Sequence, residues 1–431
     1  MKLARSGGQV LMWRGLQKAA GMLVALVVMQ GLGPEGNGSY SLAIATITVL
    51  AALLGGGVGL ASVPRLHGAE DPPRRIGLAQ MAWLAVVALT LLVLAGAVRL
   101  GPAWAWCAGT LGWHDGLLVA AGLAVFGTVL YELANYDLLA AGRVVVGTST
   151  AAVRALVLLL AMVGLVLVAG RGIGAAVTAF AAVQLLAACW LAPQAWRAIG
   201  RLPEPARTGV RTVPRLLTHL IGHGWLGQLS SLSYLLLLRL DQFLIEANLD
   251  VAAVGLYAAA AWATELLWLV PEALNPLLVH SSSSRSAEDR DRTAARAVRL
   301  GLGLTAAAAL PLLLLCEPLL GLLRDGAYLP AVAPLRALLP GAVAFAPGVI
   351  LAGDFIGRGR PHWNTQASAA TVVVNVALCL VWLPRFGILG AAWASTVAYL
   401  LGSVIMLGRF RHLTGLAWSE ILLPRPSDLR R

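Results

Sequence analysis

The sequence predicts an all-α integral membrane protein with about twelve transmembrane helices in two six-helix lobes. Three observations lead there: an apolar excess, an alternating distribution of positive charge, and short motifs that recur about 217 residues apart. Of the 431 residues, 59% are apolar and 12% charged, against roughly 45–50% and about 25% in soluble domains. A soluble fold has too little interior for so much apolar surface, which argues against a cytosolic enzyme. The net charge of +12 would suit nucleic acid if it lay on a polar surface. With this apolar background it belongs instead to loops flanking a bilayer.

A helix crosses the hydrocarbon core with about 20 mostly apolar residues. Such stretches fall at 10–31, 40–63, 77–98, 116–140, 148–169, 173–193, 216–243, 252–277, 298–323, 328–356, 365–384 and 386–408. The first and seventh carry charges and have the weakest hydropathy. With the N-terminus inside, 24 of the 32 Lys and Arg residues fall in cytoplasmic segments, Arg143 and Arg154 among them. Six (Arg99, Arg171, Arg239, Arg324, Arg336 and Arg385) fall on the opposite side, while Arg14 and Lys18 lie inside the first span. This asymmetry supports the span count and places both termini in the cytoplasm. Lys2 and Arg5 precede an apolar run, but no small-residue cleavage site with a polar sequel follows, so the run reads as a retained helix. Trp104, Trp106 and Trp113 in the external 99–115 loop read as interfacial aromatics.

The halves repeat one another. Gly38-Ser39-Tyr40-Ser41-Leu42-Ala43 and Gly255-Leu256-Tyr257-Ala258-Ala259-Ala260 share G-x-Y-x-x-A at an offset of 217, and Gly142-Arg143 matches Gly359-Arg360 at the same offset. Gly174-Ala175-Ala176 matches Gly390-Ala391-Ala392 at 216. Six spans per repeat is an even number, so both halves have the same orientation. Parallel repeats of this kind build secondary transporters with a substrate site between the lobes. The expected boundaries are an N-lobe at 1–193, a cytoplasmic linker at 194–215, a C-lobe at 216–408 and a C-terminal tail at 409–431.

Ionisable groups at membrane depth are costly and mark interiors or water-filled cavities. Arg14 and Lys18 are four apart and share one helical face, which suits a phosphate in a desolvated site. The other reading is that they snorkel to the interface. Arg239 and Asp241 stand in the apolar run Leu235–Leu240, and an i, i+2 pair does not share a face, so each needs its own partner. Arg239 reads either as facing a cavity or as marking the external helix end. Glu132 and Asp137 in the fourth span, Glu265 and Glu272 in the eighth, and Asp354 in the tenth are candidate proton or cation carriers or counter-charges, with Asp137 and Asp354 near helix ends. A structural role is the alternative for each.

Other chemistry is absent or weak. The chain has no G-x-x-x-x-G-K-[ST], so ATP-driven transport by this chain is not expected. Gly55-Gly56-Gly57-Val58-Gly59 lies inside a span and reads as a close helix-packing site. His219 and His223 are spaced i, i+4 but have no third ligand nearby, so they read as satisfied polar groups rather than a metal site. The four cysteines have neither disulfide nor metal spacing. No cofactor, metal or catalytic constellation is expected.

Four segments resemble a known family. Leu32 to Ala43 looks like the loop between the first two helices of polysaccharide flippases. Arg239-Leu240-Asp241 with Val254-Gly255-Leu256-Tyr257 is similar to their seventh-to-eighth helix signature. Leu335 to Gly341 resembles the start of their tenth helix, and Pro384 to Ala394 the junction of their last two. The family is the polysaccharide biosynthesis and O-antigen (oligosaccharide) flippase branch of the multidrug/oligosaccharidyl-lipid/polysaccharide exporter superfamily. The resemblance implies a MATE-like fold with alternating access in a bacterial inner membrane. It also implies a cargo, an undecaprenyl-diphosphate-linked oligosaccharide moved to the periplasmic leaflet for O-antigen, capsule or exopolysaccharide assembly. In such flippases cavity cations hold the diphosphate, and the matching positions here are Arg14, Lys18 and Arg239. Asp241, Glu132, Glu265 and Glu272 remain candidates for a coupling proton or sodium ion or for counter-charge. Few other arginines are expected deep in the first lobe. The rival readings are a drug or cation antiporter of the same superfamily, the peptidoglycan-precursor flippase, and, from another class, a membrane polysaccharide polymerase or ligase. Extra C-terminal helices would favour the precursor flippase. An enzyme would be expected to carry a larger external loop than 99–115.

Overall fold

A computed structural model describes residues 2–67, 71–101, 104, 115–202, 212–284 and 287–423. The expected loop residues Trp106 and Trp113, linker residues 203–211 and the tail from 424 onward lie outside the described residues. Among the described residues every regular element is helical. In chain order these are α1 (Lys2–Gly55), α2 (Val58–His67), α3 (Pro73–Leu100), α4 (Asp115–Ala140), α5 (Val144–Met162), α6 (Ile173–Ile199) and α7 (Val213–Asn248). There follow α8 (Val251–Glu265), α9 (Leu269–Ser284), α10 (Ala287–Gly321), α11 (Val332–Gly357), α12 (His362–Thr414) and α13 (Trp418–Leu422). A π-helical stretch, Val163–Val168, prolongs α5.

Nine helical stretches among the described residues are long and apolar enough to cross a membrane. Two of them each contain two straight segments. α1 breaks at Gly33 (φ 71°), with Pro34 next, and α12 breaks at Gly387 (φ 59°), three residues after Pro384. A left-handed residue is tolerated there because glycine has no Cβ. The polar 32–39 stretch expected as a loop is thus reduced to this single non-helical residue. α7 is another long helix, of 36 residues, and its histidines and polar residues dilute its hydropathy.

The Gly55–Gly59 stretch also differs from expectation. It does pack closely, but it breaks the helix too, since Gly56 and Gly57 adopt φ of 57° and 68° between α1 and α2. A Cβ on Gly57 would stand 2.1 Å from the carbonyl oxygen of Gly224 on α7. The backbones of α2 and α7 therefore meet with no side chain between them.

Each repeat unit ends its fourth helix in the same way. Gly142 and Gly359 have φ of 70° and 72°. Arg143 N–H donates to Leu138 O and Arg360 N–H to Phe355 O, both at 2.8 Å, while Gly142 and Gly359 donate to Leu139 O and Ile356 O, both at 3.0 Å. This is a Schellman-type helix end, reproduced bond for bond at an offset of 217. Gly170 and Gly387, also 217 apart, both have φ of 59°.

The chain forms two compact units, Met1–Leu232 and Ser233–Arg431. Within the first, α4 packs chiefly on α6, burying Ala134, Leu138, Ala188 and Leu191. Within the second, α11 packs on α9, α10 and α12, around Val298, Ile350, Phe355 and Phe410. The stretch after 408 is folded: Ile421 of α13 is buried in this core, and Arg299 donates to the carbonyl oxygen of Glu420. Outward-facing leucines are left bare, Leu92 and Leu160 each being 71% exposed and Leu314 74%. Apolar surface on that scale needs an apolar solvent, so the chain is a multi-pass membrane protein.

Candidate functional site

The second unit holds a buried polar network in an apolar helix bundle. α7 supplies Asp241, 2% exposed, from the run that drew attention in the sequence. Its Oδ1 accepts the Gln242 backbone N–H at 2.9 Å. Its Oδ2 accepts the Tyr257 hydroxyl from α8 and, at 3.4 Å, the Ser395 hydroxyl from α12. Asn375, also on α12, donates to Ser395 at 3.0 Å, and Cys379 lies one turn beyond. Buried carboxylates require such donors because no water replaces their hydration. The result is an oxygen-rich cluster fed by three helices.

Arg239, two residues earlier, points elsewhere, as the i, i+2 spacing requires. Its Nη2 lies 3.4 Å from Glu265 Oε1, with side chains 20% and 30% exposed. Glu265 is therefore the counter-charge of Arg239, and Asp241 has its own partners. Glu272 opens α9 and is half-buried. Beside these charges Trp268, Phe345 and Tyr399 pack ring to ring at 4.9–5.6 Å.

In the first unit Arg14 and Lys18 are both exposed on α1. The cation that the charge count misassigned is Arg154. It was grouped with the cytoplasmic loops, yet it sits mid-helix in α5, half-buried. Its Nη1 donates to Gln184 Oε1 of α6 at 2.5 Å, and its guanidinium lies 4.7 Å from the Tyr131 ring centroid. Glu132 of α4 shares its electrostatic field. Arg154 is thus an arginine within the first unit's helices, and an apolar helix buries an arginine once a neighbour supplies acceptors. Nearby, Asp137 accepts from Gln80 at 2.8 Å.

The repeat transmits the fold but not these sites. At an offset of 217, Asp241 and Asn375 correspond to Val24 and Leu158, and Glu132 and Arg154 to Val349 and Thr371. At the offset of 216 that holds in the last span, Ser395 corresponds to Ala179 and Gln184 to Leu400. Of the site residues Tyr257 recurs, as Tyr40. Each unit has its own polar chemistry. Among the described residues no group of three His, Cys, Asp or Glu side chains is placed to hold a metal.

Comparison with solved structures decides the fold. The lipid II flippase MurJ in an inward closed conformation superposes with a TM-score of 0.74 at 14% identity, covering 94% of this chain and 89% of that one. This chain shares the MurJ and MATE transporter fold. An inward-facing multidrug resistance MATE family transporter of the MOP superfamily matches at a TM-score of 0.67 and 17% identity, covering 93% and 96%. A MOP superfamily transporter from Pyrococcus furiosus, described as having a binding pocket of reversed polarity, matches at 0.65 and 14%, covering 96% and 95%. No protein-family model and no curated protein matches the chain. The expected all-α, MATE-like fold with many membrane spans is borne out, and these structural neighbours are transporters and flippases rather than enzymes.

Sequence reasoning selected Asp241 but not Tyr257, Ser395 or Asn375 as its partners, and it overlooked Arg154 and Gln184. Two of these had a signal. Asn375 in Val372-Val373-Val374-Asn375-Val376 and Arg154 in Ala151-Ala152-Val153-Arg154-Ala155-Leu156 are lone polar residues in apolar runs. Ser395 had none, because a serine satisfies its hydroxyl within any helix.

Proposed function

We propose that the protein is a flippase that moves a polyprenyl-diphosphate-linked oligosaccharide across the bacterial inner membrane by alternating access. The observation that carries the reading is the exposed pair Arg14 and Lys18 within the first apolar span, in a chain with the fold of a lipid II flippase. Exposed cations in a span face water or a polar ligand, and a diphosphate is the lipid-borne group that two or more fixed cations suit best. Arg239, held by Glu265 at 3.4 Å, would exchange that carboxylate for a phosphate oxygen. The Asp241 network supports a coupling role for a proton or sodium ion, because its carboxylate, hydroxyl and amide oxygens are hard ligands. That network equally favours a second reading, cation-coupled drug antiport, in a chain with the fold of multidrug resistance MATE family transporters.

The deciding experiment is leaflet-resolved transport of defined lipid-linked sugars in proteoliposomes. Wild type should flip the lipid, and Arg14→Ala, Lys18→Ala and Arg239→Ala should each slow it. Asp241→Asn should remove any dependence on a proton or sodium gradient while leaving the protein folded. Gradient-driven export of organic cations, with no flipping of any lipid-linked sugar, would overturn the flippase reading in favour of antiport.

A further inference from the structure

A separate cluster of charged and ring side chains lies in the first unit, at the C-terminal end of α2. Arg65 of α2 and Asp71, just before α3, form an ion pair at 2.5 Å with side chains only 10% and 5% exposed. The Arg65 Nη2 lies 2.7 Å from Nε2 of His219 on α7. Arginine has donors only, so the imidazole accepts through Nε2 and carries its proton on Nδ1. That Nδ1 is buried and finds no hydrogen-bond partner among the described residues. His223, one turn further along α7, stacks on His219 with ring centroids 3.9 Å apart. Arg65, His219 and His223 line a cavity of about 700 Å³ together with Leu60, Pro64 and Leu139. This is within the range of about 300–1,000 Å³ typical of small-molecule sites.

A guanidinium against an imidazole lone pair is stable only while the ring is neutral, since a protonated ring would offer a donor to a donor. An anion placed between the two resolves that conflict. Its oxygens accept from the guanidinium, which matches phosphate geometry, and from a protonated Nε2. Asp71 contributes a carboxylate to this cluster, and that carboxylate pairs with Arg65. Asp137, on the α4 helix that supplies Leu139, is held by Gln80. Along α7 the His223 ring stacks on His219. The cavity is thus lined by a guanidinium, itself paired with Asp71, and by two imidazole rings.

We propose that this cavity binds a phosphate or diphosphate group, which displaces His219 Nε2 from Arg65 while the ring takes a proton from solvent. The residues are distinct from Arg14, Lys18 and Arg239, so the inference stands whatever cargo the transporter moves.

The test is calorimetric titration of the full-length protein in nanodiscs with inorganic pyrophosphate and with farnesyl diphosphate, at roughly pH 6 and pH 8 on either side of the histidine range. His219→Gln keeps a neutral acceptor for Arg65 but does not titrate. The double variant Arg65→Gln/Asp71→Asn removes both members of the pair, so no buried charge is stranded. Wild type should bind, and the double variant should bind roughly tenfold more weakly or worse. The sign of the pH effect follows from linkage: the complex as proposed holds one more proton than the free protein, so binding takes up a proton and tightens as pH falls. The ligands also titrate, so the informative quantity is wild-type affinity relative to His219→Gln, which should rise from pH 8 to pH 6. Binding of both probes would show that the phosphate suffices. Binding of farnesyl diphosphate alone would show that it must arrive on a lipid. Binding of neither overturns the proposal, as does a double variant that binds like wild type or a His219→Gln ratio independent of pH. Failure here leaves the proteoliposome test of lipid flipping untouched.

Discussion

Replacing Gly57 by alanine should destabilise the protein more than any other single-methyl insertion at the α1–α2 junction. Two costs coincide at this residue. Its φ of 68° is left-handed, which costs an L-residue about 1–2 kcal/mol. Its new Cβ would also stand 2.1 Å from the Gly224 carbonyl oxygen, when ordinary contacts lie beyond 3.4 Å. Both atoms belong to rigid positions, so no rotamer relieves the clash, and overpacking of this kind costs about 1–3 kcal/mol or more. The sum is about 2–5 kcal/mol. Two controls separate the contributions. Gly56 shares the left-handed conformation, but a Cβ there meets only the edge of the Trp83 ring at 2.9 Å, so Gly56→Ala should cost about 1–2 kcal/mol. Gly224 meets the reciprocal clash, 2.2 Å from Gly57 O, without a left-handed φ, and alanine there regains about 1 kcal/mol of helix propensity. Gly224→Ala should therefore cost about 0–2 kcal/mol. Reversible denaturation of the purified protein in one detergent, followed by tryptophan fluorescence, gives all three values. A Gly57→Ala protein no less stable than Gly56→Ala would refute the close backbone contact.

Three further outcomes follow from the geometry. Tyr257→Phe strips the Asp241 carboxylate of its phenol donor and should cost about 1.5–3 kcal/mol, whereas Ser395→Ala, at the longer 3.4 Å contact, should cost less; equal losses in denaturation midpoints would contradict this. Gly142→Ala and Gly359→Ala place a Cβ in open space at nearly equal φ, so each should lose about 1–2 kcal/mol, and unequal losses would show that the two helix ends are not equivalent. Arg154→Met and Gln184→Leu should each destabilise the first unit by leaving the other side chain unpaired, while the double variant recovers part of the loss. A double-mutant cycle with no coupling would count against the Arg154–Gln184 bond.

The sequence by itself determined what depends on local physics. Hydropathy located the spans because a bilayer forces every backbone N–H and C=O into helical hydrogen bonds within its own segment. The repeat was readable for a similar reason. Gly142 and Gly359 are left-handed helix ends, which only a glycine fills cheaply, so both copies kept their glycine. Boundaries were less legible: the break at Gly33 is one residue wide, and Gly56-Gly57 splits a stretch that hydropathy reads as continuous. Tertiary structure alone decided which polar groups meet. Ser395 comes to Asp241 from 154 residues away, Gln184 to Arg154 from 30, and His219 to Arg65 from 154. Hydropathy counts a charge but carries no information about the partner that makes its burial tolerable. That is why Arg154 was taken for a loop residue, and why the pairings of Asp241 and Arg65 emerged only from the packed helices.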